Sequence, residues 1–197
     1  MPSTCTASLP RNTRALVSSV SLEALIFPFA GEVYRHLPFD SPFEVTDFRL
    51  AGQGAGNRWN SPGQRTLYLA IDPAVALAEW ARHLQASFDP RTDPPLRRRM
   101  YRLRIELAAV LDLRDPRVWE ALGGVVAQSS DFLEVTTCRA LADFVRRATT
   151  ALAILVPSIA FLDRLDRGNL VVFLEKVEDE KELVRDISDL GVIDYNP

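Results

Sequence analysis

The stretch TLYLAIDPAVALAEW, residues 66–80, decides the fold of this 197-residue chain. Its first six residues are β-branched, aromatic or aliphatic, a composition that predicts a strand. Asp72 and Pro73 then supply a helix N-cap and a proline for the first helical position. Alanine and leucine recur after Pro73 at helical spacing, which predicts a helix that carries Glu79. A strand followed at once by a helix packs that helix on the sheet, so we expect an α+β fold.

The sequence on either side predicts further strands and helices from the same two periodicities. Strands are predicted at residues 33–37, 100–113, 153–156 and 170–173. Helices are predicted at residues 21–30, after the Asp115-Pro116 pair, at 137–149 and, as a charged and solvated helix, at 175–189. Prolines and consecutive arginines at 89–99 predict an exposed connector. The expected architecture is a small, twisted, mixed sheet flanked by helices.

The composition indicates a globular protein with no excess of positive charge. Hydrophobic residues make up 47% of the chain and charged residues 25%, both ordinary values. The net charge of -3 argues against direct binding of nucleic acid. We expect one domain over residues 21–197, preceded by a flexible extension over residues 1–20 that is rich in Ser, Thr and Pro.

Cysteine content and hydropathy predict a cytoplasmic location. Cys5 and Cys138 are the only cysteines, too few for a disulfide framework or a zinc site, which fits a reducing compartment. The longest apolar runs fall far short of the roughly 20 residues that span a bilayer. We therefore expect no membrane association.

Two charged residues stand where a site could form. Arg58 lies in a loop, residues 50–63, whose many Gly, Asn, Ser and Pro residues favour irregular backbone with positive φ. By itself, Arg58 could simply stack on Trp59 or bind backbone carbonyls. Glu79 lies close to the apolar face of its helix, where a carboxylate needs a partner. That partner could be Arg35 or Arg58.

Several common catalytic motifs are absent from the sequence. No serine stands in G-x-S-x-G, and neither His36 nor His83 has a recognisable triad setting, so serine hydrolysis is not expected. Ser158, after the predicted strand 153–156, would most simply cap a turn. Neither G-x-G-x-x-G nor G-x-x-x-x-G-K-[ST] occurs, which excludes Rossmann and P-loop nucleotide sites.

Six short motifs follow one another in an order that is informative as a set. They are VYR at 33–35, GNRWNSPG at 56–63, TLYLA at 66–70, ALAEW at 76–80, LVPS at 155–158 and GNLVVF at 168–173. Together they resemble the RES family, which is named for an arginine, a glutamate and a serine. The chain departs from the family pattern at Asn57, where a second glycine usually precedes the arginine.

The resemblance implies an ADP-ribosyltransferase-like fold and an enzyme that degrades NAD+ by hydrolysis or phosphorolysis. It implies the toxin of a toxin–antitoxin pair, whose partner is an antitoxin with a helix-turn-helix domain. Nucleic acid would then be contacted only through the antitoxin, and a homo-oligomer is left open. The alternatives are a mono-ADP-ribosyltransferase that modifies a protein and a non-catalytic interaction module.

The family's functional residues can be carried onto matching positions of this chain. The resemblance implies Arg58, Glu79 and Ser158 as catalytic residues, although Arg35 also matches the arginine of the family name. The residues implied in binding NAD+ are Arg35, Trp59, Tyr68 and Asn169. The arginines would bind the pyrophosphate, and Tyr68 or Trp59 would stack on a ring of the dinucleotide. The resemblance implies NAD+ as the substrate and inorganic phosphate as a candidate co-substrate, and no metal is expected.

Overall fold

The computed structural model describes residues 21–84, 96–123, 126 and 128–195. The strands are β1 (Ile26–Pro38), β2 (Thr66–Ala70), β3 (Leu96–Asp112), β4 (Ala153–Pro157), β5 (Gly168–Phe173) and β6 (Val184–Tyr195). The α-helices in the described residues are α1 (Pro73–Leu84), α2 (Pro116–Ala121) and α3 (Val135–Ala148). Short 3₁₀ helices lie at Leu22–Leu25, Ser129–Leu133 and Leu174–Lys176. No helix in these ranges is long and apolar enough to cross a membrane.

The strands form one mixed sheet that closes on itself. Its order is β1-β2-β5-β4-β3-β6, and β1 also pairs with β3. The β3–β4 pair is parallel, whereas the other pairs are antiparallel. The β1–β3 ladder joins the two sides of the sheet into a barrel-like ring, and β6 extends β3 outside that ring. The predicted α+β class with a mixed sheet is confirmed. The closure of the sheet into a ring was not predicted.

Apolar side chains lie on both faces of the sheet. This explains why one strand alternates buried and exposed residues while another is buried throughout. In β3, Leu103 and Ile105 are buried and Arg104 between them is exposed, because one face lines the inside of the barrel. All of β4 is buried, since its second face is covered by α3. α1 packs on a smaller, separate apolar cluster beside β2.

The helix predicted at residues 21–30 is wrong beyond its first turn. Ser21 does cap the 3₁₀ turn, since its Oγ accepts a hydrogen bond from the Glu23 N–H at 3.3 Å. The chain then enters β1 at Ile26, which pairs with Leu111 of β3. The long ladder between β1 and β3 overrides the weak local helical preference.

The charged helix predicted at residues 175–189 is also wrong, because the chain there ends in strand β6. Three ion pairs tie β6 to β3: Arg97 with Asp194 at 2.9 Å, Arg99 with Asp189 at 3.6 Å and Arg185 with Glu106 at 3.7 Å. The predicted connector is also wrong at residues 96–99, because these residues belong to β3, which pairs with β6. Its remaining residues, 89–95, and the predicted extension at 1–20 lie outside the described residues.

Candidate active site

A cleft of about 760 Å³ opens where β1 and β2 separate. These strands pair at one register position, Tyr34 opposite Ala70, and diverge beyond it. Side chains from β1, β2, α1, β5 and the loop between β1 and β2 line the cleft. The cleft is therefore lined by side chains from both faces of the sheet.

A carboxylate, a hydroxyl and a carboxamide meet beside this cleft. Ser158 Oγ donates a hydrogen bond to Glu79 Oε1 at 2.6 Å, and Asn169 Nδ2 donates a longer one to the same oxygen at 3.4 Å. Ser158 directly follows β4 and Asn169 lies in β5, where it pairs with Val156. α1 starts at the neighbouring end of β2, so it brings Glu79 to the same edge of the sheet.

Ser158 holds the Glu79 carboxylate by a hydrogen bond. Its side chain is fully buried, and its Oγ also accepts a hydrogen bond from the Ala160 N–H at 3.2 Å. Ser158 thus both caps the turn that follows β4 and binds Glu79. Because the hydroxyl proton is directed at a carboxylate, the serine orients that carboxylate. Both of the hydrogen bonds that described residues donate to the Glu79 carboxylate go to Oε1.

Arg35 is the only arginine or lysine among the described residues that line the cleft. Its Nη1 donates a hydrogen bond to the Val45 carbonyl, and its guanidinium lies 5.4 Å from the centre of the Phe48 ring. Burial lowers the pKa of Arg35, an effect that the nearby Asp47 carboxylate opposes. An arginine keeps its charge at neutral pH despite such a shift, so Arg35 gives the cleft a fixed cation.

Arg58 and Trp59 do not line the cleft. Arg58 Nη1 donates hydrogen bonds to the carbonyls of Phe132 and Leu133, at 2.9 and 2.7 Å. Trp59 is 3% exposed and packs on the Phe132 ring, with the ring centres 5.6 Å apart. Within the described residues, Glu79 forms no ion pair with an arginine. The structure thus brings together Glu79, Ser158, Asn169 and Arg35, and it does not bring Arg58 or Trp59 to them.

Tyr68 lines the cleft while its hydroxyl belongs to the adjoining loop. The hydroxyl donates to Asn60 Oδ1 at 2.8 Å and accepts from the Trp59 N–H at 3.0 Å. Burial is the main cause that raises the pKa of Tyr68 above its usual value, so the phenol stays protonated. The ring can still contact a ligand, but the hydroxyl is already occupied.

Tyr34 and His36 line the cleft although sequence reasoning assigned them no role. Burial and the charge of Arg98 lower the pKa of His36 to about 4. Arg98 Nε donates to His36 Nδ1 at 3.0 Å, so His36 is neutral and that nitrogen is not free to act as a base. Because side chains alternate between the two faces of a strand, the position of these residues next to Arg35 did not predict that they share its cleft. No group of metal-binding side chains occurs among the described residues.

The fold and the site define an α+β protein with a closed mixed sheet and a glutamate held by serine and asparagine at a cleft. The family model of the RES domain matches residues 32–190, and the chain belongs to the RES domain family. The structure is similar to a chain in the crystal structure of the M. tuberculosis MbcT–MbcA toxin–antitoxin complex. The TM-score is 0.61 at 22% identity, over 86% of this chain and 90% of that chain. No curated protein matches the sequence.

Proposed function

We propose that this protein cleaves NAD+ at the bond between nicotinamide and ribose. The observation that carries the proposal is the Glu79 carboxylate, oriented by Ser158 at 2.6 Å and Asn169 at 3.4 Å in a cleft that also contains Arg35. Membership of the RES domain family supports it. An ADP-ribosyltransferase-like fold is part of the same proposal.

The chemistry of NAD+ explains why a carboxylate is needed. Nicotinamide leaves as a neutral molecule from a cationic pyridinium, so positive charge develops on the ribose as the C–N bond breaks. A fixed carboxylate stabilises that oxocarbenium-like state more than the ground state, which lowers the barrier. Glu79 supplies this charge, and Ser158 and Asn169 keep its Oε1 in place. In this proposal, Glu79 Oε2 is the oxygen that faces the ribose.

The two family arginines have different roles in this proposal. Arg35 binds the pyrophosphate of NAD+ by charge-assisted hydrogen bonds, because it is the cation that lines the cleft. Arg58 holds the loop of residues 50–63 to the 3₁₀ helix Ser129–Leu133 through two carbonyls. The arginine that contacts substrate is therefore Arg35.

The acceptor is the least constrained part of the reaction, and we propose inorganic phosphate. His36 has a low pKa and its Nδ1 is occupied, so His36 is not available to deprotonate water. Phosphate arrives already anionic. Its oxygen forms a bond to the ribose carbon as nicotinamide departs, giving ADP-ribose-1″-phosphate, with hydrolysis to ADP-ribose as a slower reaction. Transfer of ADP-ribose to a protein is the second candidate.

The proposed biological role is that of a toxin in a toxin–antitoxin pair, acting on cytoplasmic NAD+. It is supported by the similarity to a chain of the MbcT–MbcA toxin–antitoxin complex. The partner would be an antitoxin that carries a helix-turn-helix domain, through which the pair contacts nucleic acid.

Mass spectrometry of the products tests the proposed activity. Purified protein is incubated with NAD+ with and without phosphate, beside the Glu79→Gln variant. We expect loss of NAD+, release of nicotinamide and a phosphate-dependent ADP-ribose-1″-phosphate peak. ADP-ribose alone in both conditions would leave a glycohydrolase, and an added mass on a protein would favour the transferase. Intact NAD+ throughout contradicts the activity.

A further inference from the structure

We infer that Arg98 is a positioning residue for Glu79: acting through His36, it holds helix α1 at the rotation that turns the Glu79 carboxylate towards the cleft. Arg98 lies in β3 and is not among the residues that line the cleft, so it does not itself contact a ligand bound there. This role rests on the proposed function. It adds to that function a residue that neither the sequence motifs nor the comparisons single out.

Two groups of α1 contact His36 from the same side of the helix. The His36 ring centre lies 5.5 Å from that of Trp80, and the Ala76 backbone forms a hydrogen bond with His36. Ala76 and Trp80 are four positions apart, which is about one helical turn. Because α1 is held at two points along one side, it cannot turn about its own axis without breaking one of these contacts.

Arg98 fixes the orientation of the His36 ring. Its Nε donates a hydrogen bond to His36 Nδ1 at 3.0 Å. Since Nδ1 is the acceptor, the proton of the neutral ring is on Nε2, the nitrogen that then donates to the Ala76 carbonyl. The Arg98 guanidinium also lies 5.6 Å from the Trp80 ring centre. Arg98, His36 and Trp80 thus form one connected group that joins β3, β1 and α1.

The neighbours of Arg98 in β3 have a different role. Arg97 and Arg99 each form an ion pair with an aspartate of β6, whereas Arg98 forms no ion pair with any described residue. Arg98 is also partly buried, and burial lowers its pKa. The contacts that hold this arginine are therefore those with His36 and the helix, and they are not part of the β3–β6 connection.

The rotation of α1 matters because Glu79 directly precedes Trp80. Successive residues of a helix point about 100° apart, so Trp80 faces β1 and β3 while Glu79 faces Ser158. A side-chain tip lies roughly 6 Å from the helix axis, and a turn of about 10° moves it by about 1 Å. A misplacement of about 1 Å can cost about 100-fold in rate. The contacts of Trp80 therefore control the place of the carboxylate.

Steady-state kinetics of Arg98→Met test the inference. Methionine keeps an unbranched apolar stem but donates no hydrogen bond to His36. We expect kcat for NAD+ cleavage to fall by about tenfold or more and KM to change by less than about threefold, because the ligand contacts remain while the carboxylate is misplaced. Arg104→Met is the matched control, since Arg104 is an exposed arginine of the same strand that faces Glu106 at 3.9 Å. Both constants should stay unchanged in this control.

A double-mutant cycle separates action through His36 from a general loss of packing. His36→Phe keeps a ring beside Trp80 but bonds neither Arg98 nor the Ala76 carbonyl. If Arg98 acts through His36, the double variant has the kcat of His36→Phe alone, whereas independent effects multiply. All assays are run well below the melting temperature of each variant, so a loss of stability does not change kcat. If Arg98→Met does not fold, His36→Phe tests the same contact by the same comparison of kcat with KM.

The outcomes distinguish this inference from the proposed function. An unchanged kcat in Arg98→Met, or effects that multiply in the cycle, overturns the inference while the unsubstituted protein still cleaves NAD+. NAD+ left intact by the unsubstituted protein overturns the proposed function instead. The inference is then decided by crystal structures: the Glu79 carboxylate should move away from Ser158 by about 1 Å in Arg98→Met and stay in place in Arg104→Met. An unmoved carboxylate in Arg98→Met overturns it.

Discussion

The charge of Glu79, rather than its shape, should control turnover. Glu79→Gln keeps the side-chain length and a carbonyl oxygen that can accept from Ser158 Oγ, which now lies 2.6 Å from Oε1. In the proposed reaction, it removes the negative charge that stabilises the developing oxocarbenium. We expect NAD+ consumption to fall by about 100-fold or more, with an unchanged melting temperature. A nicotinamide-release assay and a thermal melt measure the two quantities, and turnover that survives in the variant contradicts the role of Glu79.

Arg35 and Arg58 should separate into a binding residue and a structural residue. Arg35→Gln is expected to raise the KM for NAD+ by about tenfold or more, because the pyrophosphate loses its cation. Arg58→Gln is expected to lower the free energy of unfolding by about 1–3 kcal/mol, since the Phe132 and Leu133 carbonyls lose a charged donor. Steady-state kinetics and urea denaturation are measured on both variants. The reverse pattern would return Arg58 to the pyrophosphate site.

At the level of secondary structure, the start of β5 fixes the distance between Ser158 and Asn169. Gly168 pairs with Pro157, and a Cβ at Gly168 would lie 2.3 Å from the Val156 carbonyl oxygen. No side chain fits there without moving β5 away from β4. Gly168 thus allows the close approach that sets Asn169 beside Glu79.

Gly168→Ala is therefore expected to reduce both stability and activity. The alanine methyl would clash with backbone atoms, which cannot move aside as a flexible side chain could. A loss of about 1–3 kcal/mol in the free energy of unfolding is therefore expected. Turnover of NAD+ should fall further than stability alone explains, because the Glu79 group is displaced. Gly54→Ala is the matched control, since a Cβ there meets no atom within 4 Å. Equal behaviour of the two variants contradicts this account.

For the whole molecule, His36 should make stability depend on pH. It lies where β1, β3 and α1 meet: Arg98 Nε donates to it, the Ala76 backbone hydrogen-bonds to it, and its ring centre is 5.5 Å from that of Trp80. Burial, Arg98 and Arg35 lower the pKa of His36 from 6.5 to about 4. Between those two values the unfolded chain binds more protons than the folded one.

The contribution of His36 to stability is therefore complete above pH 6.5 and is lost as the pH falls to about 4. The loss amounts to at most about 3 kcal/mol. His36→Gln keeps an acceptor for Arg98 but does not titrate, so the wild-type protein should lose more stability than the variant over this range. Urea denaturation at several pH values measures the difference, in which contributions from carboxylates cancel. Parallel curves for the two proteins contradict the prediction.

The sequence by itself determined the elements whose patterns are strong and local. The run at 66–70 and the Asp72-Pro73 start of α1 are predicted correctly, because the strand residues and the helix cap need no distant partner to be favoured. The same holds for α3, whose apolar stripe covers one face of the sheet. The motif order also gave the family and, within it, Glu79, Ser158 and Asn169.

Only the tertiary structure decided the remaining features, which depend on contacts between distant residues. β6 has a charged sequence typical of a solvated helix, yet its aspartates meet the arginines of β3 and the chain becomes a strand. The β1–β3 ladder closes the sheet, and no local pattern encodes that pairing. Both family arginines fit the motifs equally well. Which of them lines the cleft is fixed by contacts between distant segments, because Arg58 is held by carbonyls more than 70 positions away in sequence, whereas Arg35 lines the cleft.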